Sequence, residues 1–114
     1  MTYTPTAVEL ERRNRIRLSV FAYAYEYENE SLISDAEYDK LSYLIDPNMV
    51  TGNKALDRFF KREFVPHTGQ WIHKHPEIDK IKALCFQYQN NFDARYFRYQ
   101  HMVFDTVKDE MVKL

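Results

Sequence analysis

Only two glycines, Gly52 and Gly69, occur in the 114-residue chain. A β-sandwich needs many tight turns, and two glycines with four prolines are too few to make them. The scarcity points to helices joined by short loops. The length fits one domain that buries a core without disulfides or metals. A single cysteine, Cys85, excludes an internal disulfide and fits a reducing compartment. It lies in the apolar run "IKALCFQY" and reads as a buried, inert thiol, since a nucleophile needs a base and an electropositive setting.

Helical periodicity and capping residues lay out about five helices in one all-α domain spanning the whole chain. The first is expected over about 6–28, with Pro5 before it and Thr6 as its cap. Leu10, Ile16, Val20, Tyr23 and Tyr27 form its apolar stripe, widened by Phe21 and Tyr25. Arg12, Arg13, Arg15 and Arg17 crowd its middle. Glu26, Glu28 and Glu30 stand at its end, where carboxylates oppose the helix dipole, which raises the question of another task for them.

The second helix is expected over about 34–45, opened by a capping box of Ser34 and Glu37. It forms a helical hairpin with the first, over 6–45, and the remaining helices follow over 46–114. "DPNMVTGN" is a loop. Asn53 caps a third helix that turns Leu56, Phe59, Phe60 and Phe64 inward, and "VPHTG" breaks it. A short turn then leads to a helix opened by Pro76, with Ile78, Ile81, Leu84, Cys85 and Tyr88 at helical spacing. Trp71 reads as a plug at a helix junction. The last helix lies in "FDARYFRYQHMVFDTVKDEMVKL", where Arg95 and Arg98 flank Tyr96 and Tyr99 as the polar edge of an amphipathic core helix.

The formal net charge is −1, which disfavours a long grip on phosphate backbone. The arginine run of the first helix leaves only weak DNA binding to be expected. His67, His73, His75 and Cys85 lack the spacing of a structural zinc set, so the histidines read as a polar loop and no metal is expected. No apolar run is long enough for a membrane span. The N-terminus lacks the order of a signal peptide, and a cytoplasmic protein is expected.

Asp35, Tyr38 and Asp39 stand at i, i+3 and i+4, so they are neighbours on one helix surface. Capping and the dipole account for Ser34, Asp35 and Glu37, and Tyr38 reads as a core-edge aromatic. Asp39 has no such local reason.

The stretch "YAYEYENESLISDAEYDKL", residues 23–41, resembles the N-terminal helical domain of bacterial NAD-dependent DNA ligases. That family writes a Tyr-x-Tyr-rich helix, a short turn, and then Ile-Ser/Pro-Asp-Ala-Glu-Tyr-Asp-x-Leu. Here "ISDAEYDKL" matches without a gap, and the similarity covers about 16–45. The resemblance implies recognition of the nicotinamide mononucleotide (NMN) half of NAD. It carries that role to Tyr25, Asp35, Tyr38 and Asp39. Glu26 occupies a position where the family commonly has His or Tyr, and "NES" replaces the family's turn proline. A ligase also needs a lysine nucleophile in a Lys-x-Asp-Gly context, which this sequence lacks, so no enzymatic activity and no required cofactor are expected.

Two readings follow. One is a module that binds NMN or NAD without covalent chemistry. The other is a docking module for a protein partner, such as a ligase or another replication or repair factor. A small accessory protein of this kind would suit a phage or mobile element.

Overall fold

The computed structural model describes residues 4–90. Four α-helices and one 3₁₀ helix run in the order α1 Ala7–Glu28, α2 Asp35–Leu44, α3 Lys54–Glu63, the 3₁₀ helix Gln70–Lys74, and α4 Ile78–Asn90. No strand occurs among the described residues. The helix expected in 92–114, with its Arg–Tyr pattern, lies outside the described residues.

Local signals set the helix starts. Thr6 Oγ1 accepts from the Glu9 N–H at 3.1 Å, and Glu9 returns the bond to the Thr6 N–H at 2.8 Å. Ser34 Oγ accepts from the Glu37 N–H at 3.1 Å, and Asn53 Oδ1 from the Leu56 N–H at 3.1 Å. Asn29 closes α1 in the left-handed region at φ 55°, and the Glu30 N–H reaches back to the Ala24 carbonyl at 3.0 Å. Pro76 falls in a turn ahead of α4 rather than in its first turn.

α1 is the central helix, with α2, the 3₁₀ helix and α4 all packed on it. It is therefore buried on every side from Arg17 to Ala24. This corrects the single stripe read from the sequence. Leu10, Ile16 and Tyr27 are exposed, whereas Leu18, Ala22 and Ala24 are fully enclosed. Small residues let neighbours come close: a Cβ on Gly69 would lie 3.4 Å from Ala22 Cβ. Phe59, Phe60, Phe64 and Trp71 close the core beneath, with Trp71 5.2 Å from the Phe64 ring centre.

The arginine run is not a surface stripe. Arg15 and Arg17 are buried. Arg15 pairs with Glu11 at 2.7 Å and Asp57 at 2.8 Å, and donates to the Asp46 and Met49 carbonyls. Glu11 in turn accepts from the Asp46 N–H, and Asp57 from the Thr51 N–H and hydroxyl. This network joins α1 to α3 through the 46–53 loop, with every charge bonded. Burial works against ionisation of Asp57, but the bonds from Thr51 and Arg15 outweigh it and hold the carboxyl below its usual range.

The acidic end of α1 has partners as well. Glu26 Oε1 lies 3.0 Å from His73 Nε2. Gln89 Nε2 donates to both Glu28 and Glu30 at 2.6 Å, tying α1 to α4. Among the described residues no helix is long and apolar enough to cross a membrane.

Candidate ligand cleft

The C-terminal half of α1 and the first turns of α2 diverge from the 29–34 link, and the loop after α3 closes the third side. Between them lies a cleft of about 390 Å³. Tyr25 and Glu26 line it from α1, and Asp35, Tyr38 and Asp39 line it from α2. All five residues singled out from the sequence therefore share one cavity.

Tyr38 anchors the closing loop. Its hydroxyl donates to the Thr68 carbonyl oxygen at 2.8 Å, and that oxygen also accepts from Trp71 Nε1 at 2.6 Å. Burial raises the Tyr38 pKa well above the ordinary phenol range. The Trp71 contact opposes the shift, and the charges of Glu26 and Asp39 add to it. The phenol keeps its proton and offers the cleft a ring rather than a free donor. Ser42, buried on α2, ties the same loop down by accepting from the His67 N–H at 3.0 Å. His67 takes the left-handed region at φ 52°, which turns the loop back toward α2.

The open side of the cleft is aromatic and acidic. Tyr25 is 57 % exposed, and no ring stacks on it among the described residues. The Asp35 and Asp39 carboxylates make no hydrogen bond or ion pair among the described residues and are available to a ligand. Glu26 is the partly engaged member, through His73. Among the described residues no lysine or arginine lines the cleft, and His67 is its one basic side chain. The lining thus attracts cations and hydrogen-bond donors and repels anions.

The sequence reading missed the loop residues His67, Thr68, Gly69 and Gln70, which form the third wall. "VPHTG" was legible only as a helix breaker. A glycine there is also a signal of close backbone approach, which is its role against Ala22.

The histidines do not form the polar loop expected of them. His67 faces Tyr43 at 5.7 Å, His73 meets Glu26, and His75 is buried against Phe59 at 5.1 Å. No group of three His, Cys, Asp or Glu side chains suited to a metal occurs among the described residues. Cys85 is fully buried, and its thiol is pushed up to about 12 by burial and then by the charges of Glu28 and Glu30.

Compared with known proteins, the chain matches no family model, no curated protein and no solved structure.

Proposed function

We propose that the protein is a non-catalytic nucleotide-recognition module whose cleft takes NMN or the NMN half of NAD. The observation that carries this reading is the convergence of Tyr25, Glu26, Asp35, Tyr38 and Asp39 on one cavity from two helices. An oxidised nicotinamide ring is a flat cation, suited to the Tyr25 face and to carboxylate surroundings. Asp35 and Asp39 are placed to accept from ribose hydroxyls or the carboxamide. With no lysine or arginine among the described lining residues, the phosphate belongs at the open, solvent side in this reading. Affinity then comes from the nucleoside part. Calorimetry with NMN and NAD tests the reading: saturable heat at up to millimolar nucleotide is expected, and none would remove it.

A second reading, a protein-docking module, draws on Tyr43, Leu44 and Val65, which are 65 %, 61 % and 51 % exposed on α2 and the loop after α3. It remains in possession if NMN and NAD give no heat. Binding of a ligase or repair factor should then be lost on Tyr43→Ala. Duplex DNA is not the expected partner, because two of the four α1 arginines serve the interior.

A further inference from the structure

A second cleft, of about 290 Å³, opens between α1, α3 and the start of α4 and shares no lining residue with the first. Phe60 and Ile81 form its buried floor. Leu56 and Leu84 are half-buried along its walls, and Ile16 lies at its edge, 39 % exposed. An apolar residue on that side of α1 is otherwise unexplained by the core.

The polar groups here have the opposite sign to those of the first cleft. Glu77 is the one carboxylate among the described lining residues and pairs with Lys80 at 3.7 Å, which leaves the Arg12 charge uncompensated, while Arg15 is already balanced by Glu11 and Asp57. Arg12 is held in place, with Nε and Nη2 both donating to the Thr51 carbonyl oxygen. Its Nη1 has no hydrogen bond among the described residues. The backbone makes room for this guanidinium: Gly52 sits at φ 100°, and a Cβ there would stand 3.2 Å from Arg12 Nη2.

His75 supplies the third polar group. It is only 7 % exposed and lines the cleft. Its Nδ1 accepts from the Glu77 N–H at 2.9 Å, so the neutral ring carries its proton on Nε2. Burial keeps the ring neutral, lowering its pKa to about 4 against a small opposing pull from Glu77. Nε2 has no hydrogen-bond partner among the described residues and is not sealed from solvent, so it opens to the cleft.

We propose that this second cleft binds a small organic monoanion, one carboxylate carried on a compact apolar body. The apolar floor takes the body. Arg12 and Lys80 take the charge, and His75 Nε2–H supplies a neutral donor. The volume sits at the low end for ligand pockets, roughly 300 Å³, which limits the occupant to a small molecule. A cationic ligand of the same shape meets the Arg12 guanidinium in a lining of net positive charge and is disfavoured.

The test is a two-dimensional amide NMR titration of the isotope-labelled full chain with phenylacetate, phenylacetamide and phenethylammonium. Phenylacetate is expected to shift Ile16, Leu56 and Leu84 saturably at millimolar concentration, with the amide about tenfold weaker and the ammonium silent. Arg12→Gln should weaken phenylacetate by about tenfold without changing the affinity for phenylacetamide. Lys80→Gln, at a side chain that is 75 % exposed, probes charge at the cost only of a surface ion pair with Glu77. It should weaken phenylacetate by about threefold. Equal binding of acid and amide, shifts confined to Tyr25 and Asp39, or no saturable shift would each overturn the proposal.

Discussion

Tyr38 and Thr68 lie thirty residues apart, yet the tyrosine hydroxyl donates to the threonine carbonyl oxygen at 2.8 Å. Together with the bond from the His67 N–H to Ser42, it fastens the loop after α3 to α2 and gives the acidic cleft its third wall. Tyr38→Phe keeps the ring and removes the donor. Thr68 retains the Trp71 bond, so the stability loss should be modest, about 1 kcal/mol by chemical denaturation. The larger effect should be faster amide exchange at His67, Thr68 and Gly69. Unchanged exchange there would mean that the Trp71 and Ser42 bonds hold the loop without Tyr38.

Arg15→Leu should be far more costly. It leaves Glu11, 3 % exposed, as a buried carboxylate without its cation, and it strips one partner from Asp57. The expected loss is about 3–5 kcal/mol in denaturant unfolding. A variant that loses under about 1 kcal/mol would show that Asp46 and Thr51 suffice to hold the carboxylates.

The contrast between these residues explains what the sequence could and could not reveal. Thr6, Ser34 and Asn53 cap within their own first turns, so local pattern located three helix starts. Apart from Glu11, one turn earlier on α1, the partners of Arg15 lie in another helix and a loop, so a run of arginines looked like a surface stripe. α1 misled for a related reason. A helix wrapped by neighbours on several sides has no polar face over its buried stretch, and a one-stripe template then selects the wrong residues. Tyr25, Asp35 and Asp39 were singled out because the resemblance falls on one continuous stretch, 23–41, that spans two consecutive helices. His67 to Gln70 were not, because nothing local to α2 encodes what packs against it.

Labelling chemistry tests the absence of adenylation directly. The sequence has no Lys-x-Asp-Gly nucleophile context, and the described Cys85 thiol is buried and protonated at neutral pH. Incubation with adenylate-labelled NAD should leave the chain unlabelled after denaturation. A stable adduct on any lysine would contradict the non-catalytic reading.

His75 sets an acid limb of stability. Its folded pKa is about 4, below the ordinary 6.5. The unfolded chain therefore binds a proton that the native ring refuses between these values. Stability is fully present above about 6.5 and falls as the pH drops toward about 4. His75→Asn removes the titration and keeps an acceptor for the Glu77 N–H. Melting temperature followed across that window should fall less steeply for the variant than for the parent chain. Parallel curves would assign the limb to other groups.

Asp39→Asn and Ser34→Ala separate a binding role from a purely structural one on the same helix. The Asp39 carboxylate has no bond among the described residues and faces the cleft. Replacing it with an amide of the same shape should leave the melting temperature unchanged. If NMN is held there, losing one charge-assisted hydrogen bond should cost about 1.5–3 kcal/mol, roughly ten- to hundredfold in affinity. Ser34 makes the opposite case. Its hydroxyl caps α2 by accepting from the Glu37 N–H at 3.1 Å, and it does not line the cleft. Ser34→Ala should lower stability by about 1 kcal/mol and disturb the ligand only through the helix it frays. Calorimetry and thermal melts on both variants read the two effects independently. A stability loss at Asp39 with unaltered nucleotide heat would turn that carboxylate into a structural group and detach α2 from the proposed site.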